Sequence, residues 1–361
     1  MRNSFLSHTD AAQRNRNTIL HFVRAHQPIS RTDIWEAMDI SRASVTQIIR
    51  QLQDSGLILE TGEGESTGGR KPRYLMLNDS ARKFYAFDWL THTLFLMDLS
   101  GNVLREMPVK FTNPVAPEAF AAAILKGVDK IEAEDLCQPE DVAGLVLSLP
   151  GLVDIHTGTV IYAVELEWHG VNIRSLFRRR FGDNVYAEKL TNIMALGEHA
   201  ATGSEKASHF QLFVLDSAGI GVASIVHGGC QHGANCMYGE LGHIKLPVDV
   251  PCSCGQKGCL EAIVKDRLQK SGGEITDEVL EYLSVGVATS VNISDARTIV
   301  LTGELVERLS KKQRANLSNL IGEKVTGQQF RKLQIRFRDQ TKKLAEKGIG
   351  AYFFQCYFPL D

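Results

Sequence analysis

The sequence predicts an α/β protein in which a winged helix-turn-helix precedes a larger body made of two α/β units. Two patterns carry this prediction. Three short helical patterns followed by two strand patterns occupy the first eighty residues, and strands alternate with helices from about Ala81 onward. At 361 residues the chain is long enough for two or three domains with a sizeable core.

Composition narrows the class of protein and its surroundings. The formal net charge is −2, so any nucleic-acid binding has to come from a local basic patch. The sequence has no run of eighteen apolar residues and no signal-peptide pattern near Met1, which predicts a cytoplasmic protein without a membrane span. Seven cysteines, an odd number, argue against a disulfide framework and fit a reducing compartment.

The first two helices have recognisable ends. Helical spacing of apolar residues predicts the first helix over about Asn15 to Ala25, and Pro28 stops it. Ser30 is expected to cap the second helix, with Asp33 in the capping-box position. The side chains that this helix is expected to bury are Ile34, Ala37 and Met38.

The third helix carries the clearest functional signal of this region. Ser41 is its expected N-cap, and one apolar stripe at helical spacing consists of Val45, Ile48, Ile49 and Leu52. The opposite face carries short polar and guanidinium groups, which are the types that meet base edges and phosphates in a major groove. The predicted DNA-binding residues of this helix are Arg42, Ala43, Ser44, Thr46, Gln47 and Arg50, of which Arg42, Ala43, Thr46 and Gln47 are expected at bases and Arg50 at a phosphate.

Two strand patterns around a glycine-rich tip predict the wing. The strands run from Leu57 to Glu60 and from Arg73 to Leu77. Arg70 and Lys71 are expected to contact phosphates, and Arg73 adds further positive charge at the base of the wing. A small helical interaction module with a solvated polar face is the alternative, but the helix lengths, the wing and the local charge favour DNA.

The rest of the chain alternates strands with helices. A hairpin is predicted over Phe84 to Trp89 and Thr93 to Asp98, followed by a third strand. A helix near Pro117 to Ala133 and a buried strand from Val142 to Leu149 come next, and a second unit begins near Thr191. Two such units with a ligand cleft between them are the implied architecture.

A cluster of cysteines predicts a metal site. Cys252, Cys254 and Cys259 lie within eight residues, and His243 precedes them by one short loop. Three thiolates and an imidazole complete a tetrahedral zinc shell of the closed, structural kind, so we expect one structural Zn²⁺ per chain. Three incidental cysteines in a loop are the alternative, which the spacing and the upstream histidine disfavour.

At this point the sequence resembles the ROK family, named for repressors, open reading frames and sugar kinases. The resemblance covers nearly the whole chain and implies an actin-like ATPase fold, here a sugar kinase-like body of two subdomains. A leading winged helix-turn-helix is similar to the repressor branch, which includes xylose and N-acetylglucosamine repressors. The matching segments after the winged helix are Leu149 to Asp154, Asn192 to Glu198, Gly219 to Gly221, Gly239 to His243, and the cysteine cluster ending in Glu261.

The resemblance also implies where the domains divide. The winged helix-turn-helix is expected over residues 1–80 and the first subdomain over residues 81–191, joined by a C-terminal helix at 340–361. The second subdomain is expected over residues 192–339, with the zinc knuckle at 239–261.

A sugar kinase of this family needs groups that this chain lacks. Asp88 is followed by Trp89 and Leu90 where the family's phosphate loop has glycines, so backbone N–H groups cannot approach phosphates closely. Leu190 stands at the position of the carboxylate that accepts the sugar's proton, and leucine cannot accept one. Ser217-Ala218 and Gly303-Glu304 replace Gly-Thr and Gly-Gly in two further turns. We therefore expect no phosphoryl transfer.

The resemblance also implies that some residues of the family's sugar-binding site are retained. The implied effector-binding residues are Gly151, Glu240, His243 and Glu261. His243 can serve both zinc and sugar only with different ring nitrogens. Glu240 and Glu261 could alternatively support the zinc ligands without touching a sugar. Lys189, which replaces a sugar-binding asparagine, could pair with an anionic sugar phosphate or face solvent, and the role of Glu188 stays open.

These expectations describe a transcription factor. We expect a homodimer or dimer of dimers that binds a double-stranded DNA operator, usually as a repressor of sugar-metabolism genes, with a sugar or sugar phosphate as effector. Two alternatives stay open: a DNA-binding regulator that answers to a protein partner, and an active sugar kinase with an appended DNA module.

Overall fold

The computed structural model of the protein describes residues 8–63, 73–203, 208–327 and 329–360. Its first part is a three-helix unit with a small antiparallel sheet, in which β3 lies between β1 and β2. The elements are α1 (His8–His26), β1 (Ile29–Ser30), α2 (Arg31–Met38), α3 (Arg42–Asp54), β2 (Ile58–Glu63) and β3 (Arg73–Leu77). The predicted winged helix-turn-helix is confirmed.

The helix ends follow the sequence signals, with two corrections. Ser30 and Asp33 form the predicted capping box, and the Ser41 side chain accepts a hydrogen bond from the backbone N–H of Ser44. The first helix begins earlier than predicted, at His8, because the intervening residues are compatible with a helix without adding to its apolar stripe. Ala37 is exposed, contrary to the prediction, because the short α2 turns only a narrow edge toward the core.

The first half of the body is built on a mixed sheet with strand order β11-β7-β4-β5-β6 among the described residues. The predicted hairpin, the helix after it and the buried strand are confirmed. The structure adds a small antiparallel sheet, a helix and a strand that the sequence patterns did not reveal. The elements are β4 (Lys83–Asp88), β5 (Thr93–Asp98), β6 (Val103–Pro108), α4 (Pro117–Glu132), β7 (Val142–Leu149), β8 (Leu152–Asp154), β9 (Thr159–Ala163), β10 (Trp168–Asn172), α5 (Ile173–Phe181) and β11 (Val185–Lys189).

The second half has its own mixed sheet, with strand order β14-β13-β12-β15-β16 among the described residues. Helices cover this sheet and return the chain to the first half. The elements are α6 (Leu190–Thr202), β12 (His209–Leu215), β13 (Ile220–Val226), β14 (Gly229–Cys230), α7 (Leu260–Lys270), α8 (Asp277–Ser294), β15 (Thr298–Thr302), α9 (Glu304–Arg308), α10 (Lys311–Lys324), β16 (Gln334–Phe337) and α11 (Thr341–Tyr357).

Helices α6 and α11 cross with their backbones in direct contact. A Cβ atom added at Gly348 would lie 1.8 Å from the carbonyl oxygen of Ile193, and one added at Gly197 would lie 1.9 Å from that of Leu344. Only glycine fits at either position. Since α6 also packs on β12 and β13 and α11 on β4 and β7, the crossing joins the two halves of the body.

The winged helix-turn-helix is seated on the end of α11. Asn17 Nδ2 donates to the carbonyl oxygen of Pro359 at 2.7 Å, and His21 Nε2 donates to that of Phe358 at 2.8 Å. The Arg24 guanidinium lies 4.2 Å from the ring centroid of Phe354, and burial lowers the pKa of Arg24 to about 10. One continuous cluster of buried apolar side chains runs from α1 through α11 to α6.

None of the helices in the described parts of the chain is both long and apolar enough to cross a membrane.

Candidate functional site

The exposed face of α3 is the candidate nucleic-acid interface. All six predicted side chains of this helix, from Arg42 to Arg50, are exposed, whereas Val45, Ile49 and Leu52 are buried beneath them. Arg70 and Lys71, the two predicted phosphate contacts of the wing, lie outside the described residues. The predicted separation of a polar face from an apolar stripe is therefore present in the folded helix.

Two local contacts determine which groups of this face are available to contact DNA. The Arg42 guanidinium carbon lies over the ring of Trp35, 4.3 Å from its centroid. Thr46 Oγ1 donates to the carbonyl oxygen of Arg42 at 2.8 Å, so its hydroxyl is engaged within its own helix. Its methyl group remains suited to apolar contact with a thymine methyl.

Arg73, the one predicted basic residue of the wing that lies within the described part of the chain, is paired. Glu60 lies 2.5 Å from an Arg31 nitrogen and 3.0 Å from an Arg73 nitrogen. The hydrogen bond from Arg73, aided by Arg31, lowers the pKa of Glu60. Arg73 is thus paired within the domain, and among the described residues the free guanidinium groups of this surface lie on α3.

The predicted metal ligands come together in space. One ligand atom from each of His243, Cys252, Cys254 and Cys259 lies within 4.8 Å of the others. Cys254 Sγ and Cys259 Sγ are 3.6 Å apart, and Cys252 Sγ lies 3.8 Å from His243 Nδ1. Tetrahedral zinc with Zn–S bonds of about 2.3 Å separates two sulfurs by about 3.8 Å, so the cluster fits such an ion.

His243 faces two different surroundings. Its Nδ1 lies beside Cys252 and 3.6 Å from Glu261 Oε1, while its Nε2 lies 4.0 Å from Glu240 Oε2. Nδ1 is therefore the ring nitrogen on the side of the cysteines, and Nε2 is the ring nitrogen on the side of Glu240. Glu261, in the first turn of α7, packs against Gly242, where an added Cβ would lie 2.6 Å from Glu261 Oε2.

The ammonium group of Lys189 is paired with groups of the chain itself. Its Nζ lies 2.6 Å from Glu240 Oε1 and donates to the carbonyl oxygen of Tyr238 at 3.3 Å. The residue is buried, so the alternative of a solvent-facing lysine is wrong. The position is buried because Lys189 ends the edge strand β11 and stands at the N-cap position of α6, below the loop that carries Glu240.

Glu188 has a partner that the sequence did not reveal. This carboxylate is 1% exposed and lies 2.6 Å from His232 Nε2, and it also accepts a hydrogen bond from Asn192 Nδ2 at 3.0 Å. Burial alone would lower the pKa of His232, but the hydrogen bond and charge of Glu188 outweigh it, and the pKa is raised. His232 lies in an irregular loop after β14, where no periodic pattern points to it.

Gly151 has a structural reason to be glycine. It has a φ of +80°, and an added Cβ would lie 2.2 Å from the carbonyl oxygen of Tyr162 in β9. Just beyond it, Asp154 Oδ1 lies 3.9 Å from Cys236 Sγ, so the loop that leads to Glu240 touches the first half of the body here. A sugar contact by Gly151 stays a prediction.

In the turns that the resemblance assigns to phosphate binding, side chains of the protein itself make the contacts. The Glu304 carboxylate accepts hydrogen bonds from the backbone N–H of Ser217, at 3.3 Å, and from its hydroxyl. The hydrogen bond with Ser217 lowers the pKa of Glu304. In the other turn, Asp88 accepts a hydrogen bond from Thr91 Oγ1 at 2.9 Å, and the Trp89 ring stacks on Phe111 with centroids 5.6 Å apart.

Comparison with known proteins decides the family. The profile of the ROK family matches residues 91–273, and that of the MarR family matches residues 14–61. The chain belongs to the ROK family. Its N-terminal domain is a MarR-type winged helix-turn-helix, and its body has the actin-like sugar kinase fold of the family.

Two transcriptional regulators illustrate the similarity of known proteins to the chain over most of its length. It is 26% identical over 336 residues to the xylose repressor of Caldicellulosiruptor bescii, covering 82% of this chain and 84% of the relative. It is 27% identical over 338 residues to the DNA-binding transcriptional dual regulator NagC of Escherichia coli K12, covering 82% of this chain and 81% of the relative.

Solved structures carry the same fold. The crystal structure of a ROK family transcriptional regulator, described as a homologue of the Escherichia coli MLC protein, matches with a TM-score of 0.77 at 20% identity, covering 96% of this chain and 98% of that one. The ROK hexokinase of Thermus thermophilus matches with a TM-score of 0.59 at 22% identity, covering 75% of this chain and 98% of the enzyme. Regulators and kinases of the family thus share the body.

The raised pKa of His232 predicts a pH-dependent contribution to stability. A group with a raised folded pKa stabilises the fold fully below its unfolded pKa of about 6.5, and this contribution disappears as the pH rises through the folded value. His232→Gln should therefore lower the free energy of unfolding by about 1 kcal/mol more at pH 5.5 than at pH 8.5. Urea denaturation at the two pH values measures this difference. The exposed His156→Gln is the control, and equal losses for His232→Gln at both pH values would contradict the assignment.

Proposed function

We propose that the protein is a DNA-binding transcriptional regulator, usually a repressor, of sugar-metabolism genes, with a body that senses an effector and catalyses no reaction. The exposed face of α3 carries the proposal, because it presents Arg42, Gln47 and Arg50 above a buried apolar stripe. The MarR-type match over this segment and the repressor names of the relatives support it. A cytoplasmic location is part of the proposal, because the similar repressors come from bacteria, whose DNA lies in the cytoplasm.

The operator follows from the symmetry of the assembly. We propose a homodimer, or a dimer of dimers, in which each winged helix reads one half of a pseudo-palindromic double-stranded site. Arg42, Ala43, Thr46 and Gln47 would meet base edges, Ser44 would lie among them, and Arg50 would meet a phosphate. Arg70 and Lys71 in the wing would add two phosphate contacts.

The contacts in the former nucleotide cleft support a body without kinase activity. The Glu304 carboxylate occupies the backbone N–H of Ser217, a donor that a phosphate would need, and places a negative charge there. Arg308 lies 2.8 Å from Glu304 and holds the carboxylate in place. At the sugar side, Leu190 offers no group to accept a proton. These features oppose both the binding of ATP and the chemical step.

We further propose that the Cys₃His cluster holds one structural Zn²⁺ per chain. The ligand set leaves no open coordination position, which is the mark of a structural site. Cys259 directly precedes α7 and His243 follows the loop with Glu240, so the ion would tie that loop to the helix carrying Glu261. The zinc would thereby fix two of the proposed effector-binding carboxylates.

The effector site is proposed around Glu240, Glu261 and the free Nε2 of His243, with Gly151 at the facing edge. Carboxylates and an imidazole suit the paired hydroxyls of a sugar. A neutral sugar fits this site better than a sugar phosphate, because Lys189 and Glu240 already neutralise each other and the remaining carboxylate, Glu261, would face the phosphate. Regulation by a protein partner is the second candidate, favoured by the same internal pairing of Lys189.

A route from this site to the DNA exists in the packing. Lys189 caps α6, α6 crosses α11 at the glycine contact, and α11 holds α1 of the winged helix. An effector changes the affinity for DNA only by binding the two arrangements of these parts unequally.

The DNA-binding proposal predicts two distinct mutational effects. A duplex selected from a random-sequence library with the full-length protein should bind with an affinity that falls steeply with salt. Arg50→Ala should weaken binding to all duplexes similarly and reduce the salt slope by about 1, because a phosphate contact carries no sequence information. Gln47→Ala should relax selectivity at one base pair, by about 1–3 kcal/mol. Fluorescence anisotropy measures both.

The matched control is Arg179→Ala, an exposed arginine on α5 of the body, which should change neither quantity. Binding that is unaffected by the α3 variants would contradict the interface. Xylose, N-acetylglucosamine and their phosphates, added to the preformed complex, would distinguish a sugar effector from a protein partner, since only the former releases or tightens the complex without a second protein.

The blocked nucleotide cleft predicts that no ATP-dependent phosphorylation of glucose, xylose or N-acetylglucosamine occurs. Glu304→Gly should free the Ser217 N–H and raise the affinity for ATP in calorimetry, still without turnover because Leu190 remains. A coupled ADP-release assay checks the turnover. Robust phosphorylation by the wild-type chain would refute the non-catalytic body.

The zinc proposal predicts one zinc per chain by elemental analysis of protein purified without chelator. Cys254→Ser should remove the ion and lower the free energy of unfolding by about 4 kcal/mol or more, because the site contributes directly to folding. Cys236→Ser, outside the cluster, should retain the zinc and cost less than about 1 kcal/mol. A melting temperature that does not change when a strong chelator is added would exclude a structural ion.

A further inference from the structure

Trp35 and Arg42 form a contact at the edge of the candidate DNA interface. Trp35 lies on α2 and Arg42 in the first turn of α3, and the guanidinium carbon lies 4.3 Å from the ring centroid. One part of the indole packs against the apolar core of the domain, so its position is fixed from below. The aromatic ring therefore holds the guanidinium at the N-terminal end of α3.

The hydrogen-bond donors of Arg42 are left unpaired by this contact. Glu36 and Asp39 line the same open depression of about 460 Å³ as Trp35 and Arg42. Yet neither of these carboxylates, nor any other in the described chain, lies within 4.0 Å of the Arg42 nitrogens, and no described residue accepts a hydrogen bond from them. The Arg42 guanidinium therefore contacts the Trp35 ring with its flat face, and the N–H groups along its edge are available to donate hydrogen bonds.

We propose that Trp35 is a positioning residue for base recognition, which holds Arg42 so that its donor edge can read guanine. A guanidinium uses its face to stack on an aromatic ring and its edge to donate two parallel hydrogen bonds, so both contacts can exist at once. Guanine presents two acceptors, N7 and O6, in the major groove and is the usual partner of arginine there. The inference rests on the proposed DNA-binding function.

A residue that holds Arg42 in this way would act on affinity and selectivity together. A free arginine side chain loses much rotamer freedom when it is fixed against a base. A ring that already restricts the side chain in the free protein removes part of that cost. Contact with an aromatic ring at an exposed site changes a binding constant by about three- to fivefold.

The test uses the full-length protein and the selected duplex, together with duplexes in which each G·C pair is replaced in turn. Trp35→Ala should weaken binding about three- to tenfold and relax selectivity at one G·C pair, the same pair at which Arg42→Ala acts. Trp35→Phe keeps an aromatic face and should restore most of both. In the Arg42→Ala background, Trp35→Ala should cause no further loss.

The contrary outcomes are distinct. If Trp35→Ala weakens selected and scrambled duplexes equally, or if its effect adds fully to that of Arg42→Ala, Trp35 serves folding or a phosphate contact and the inference is wrong. If the wild-type chain shows no sequence preference at all, the proposed function and this inference fail together.

A fluorescence measurement tests the contact between Trp35 and Arg42 in chains that retain Trp35, so it does not depend on whether Trp35→Ala folds. The chain has three tryptophans, and Trp89 and Trp168 are buried, with 7% and 2% exposure. Acrylamide quenching therefore reports mainly on Trp35. Arg42→Ala, a change at an exposed position, should increase the quenching constant by uncovering the ring, and the operator duplex should protect it in the wild type. Unchanged quenching in Arg42→Ala would show that the two side chains are not in contact in solution, and would overturn the inference.

Discussion

The crossing of α6 and α11 is the contact on which the arrangement of the molecule depends. Gly197 and Gly348 bring the two backbones together without intervening side chains, so neither helix can shift along the other without a clash. Helix α6 begins next to Lys189, which pairs with Glu240, and α11 ends beneath the winged helix. The two ends of the protein are therefore related by rigid, directly touching elements rather than by a flexible linker.

Several charged groups in the body are paired within the chain. Lys189 pairs with Glu240, Glu188 with His232, and Glu304 with Ser217 and Arg308. The pairs of Lys189 and of Glu188 are buried or half-buried, and removing one partner of such a pair leaves the other uncompensated. These groups of the body are thus paired with one another, and its sheets and helices have the arrangement found in both regulators and kinases of the family.

The sequence was informative where function depends on local pattern. The cap at Ser41, the apolar stripe of α3 and the spacing of Cys252, Cys254 and Cys259 are each readable within a dozen residues, and the structure places these groups as expected. His243 was also found, because its short distance from the cysteines limits where it can lie.

Contacts between distant segments could not be predicted in this way. Glu188 and His232 are 44 positions apart, and Ser217 and Glu304 are 87 apart, so only the tertiary fold brings them together. Ala37 shows the same limit on a smaller scale, since helical spacing does not reveal how wide a face the core covers. The irregular strands β8 to β10 lack the strict alternation that would mark them as half-buried.

The packing of α1 against the end of α11 has a consequence for the exchange of winged helix-turn-helix domains between proteins of the family. Asn17, His21 and Arg24 all bond to backbone carbonyls, which any sequence provides, but the Arg24 guanidinium also lies on the ring of Phe354, which only an aromatic residue at this position provides. A chimera that transplants the first eighty residues onto another body of this family would leave that cation against whatever residue stands there. New operator specificities would then be inherited most readily by recombining the winged helix together with the last turns of α11, as a pair that is discontinuous in sequence.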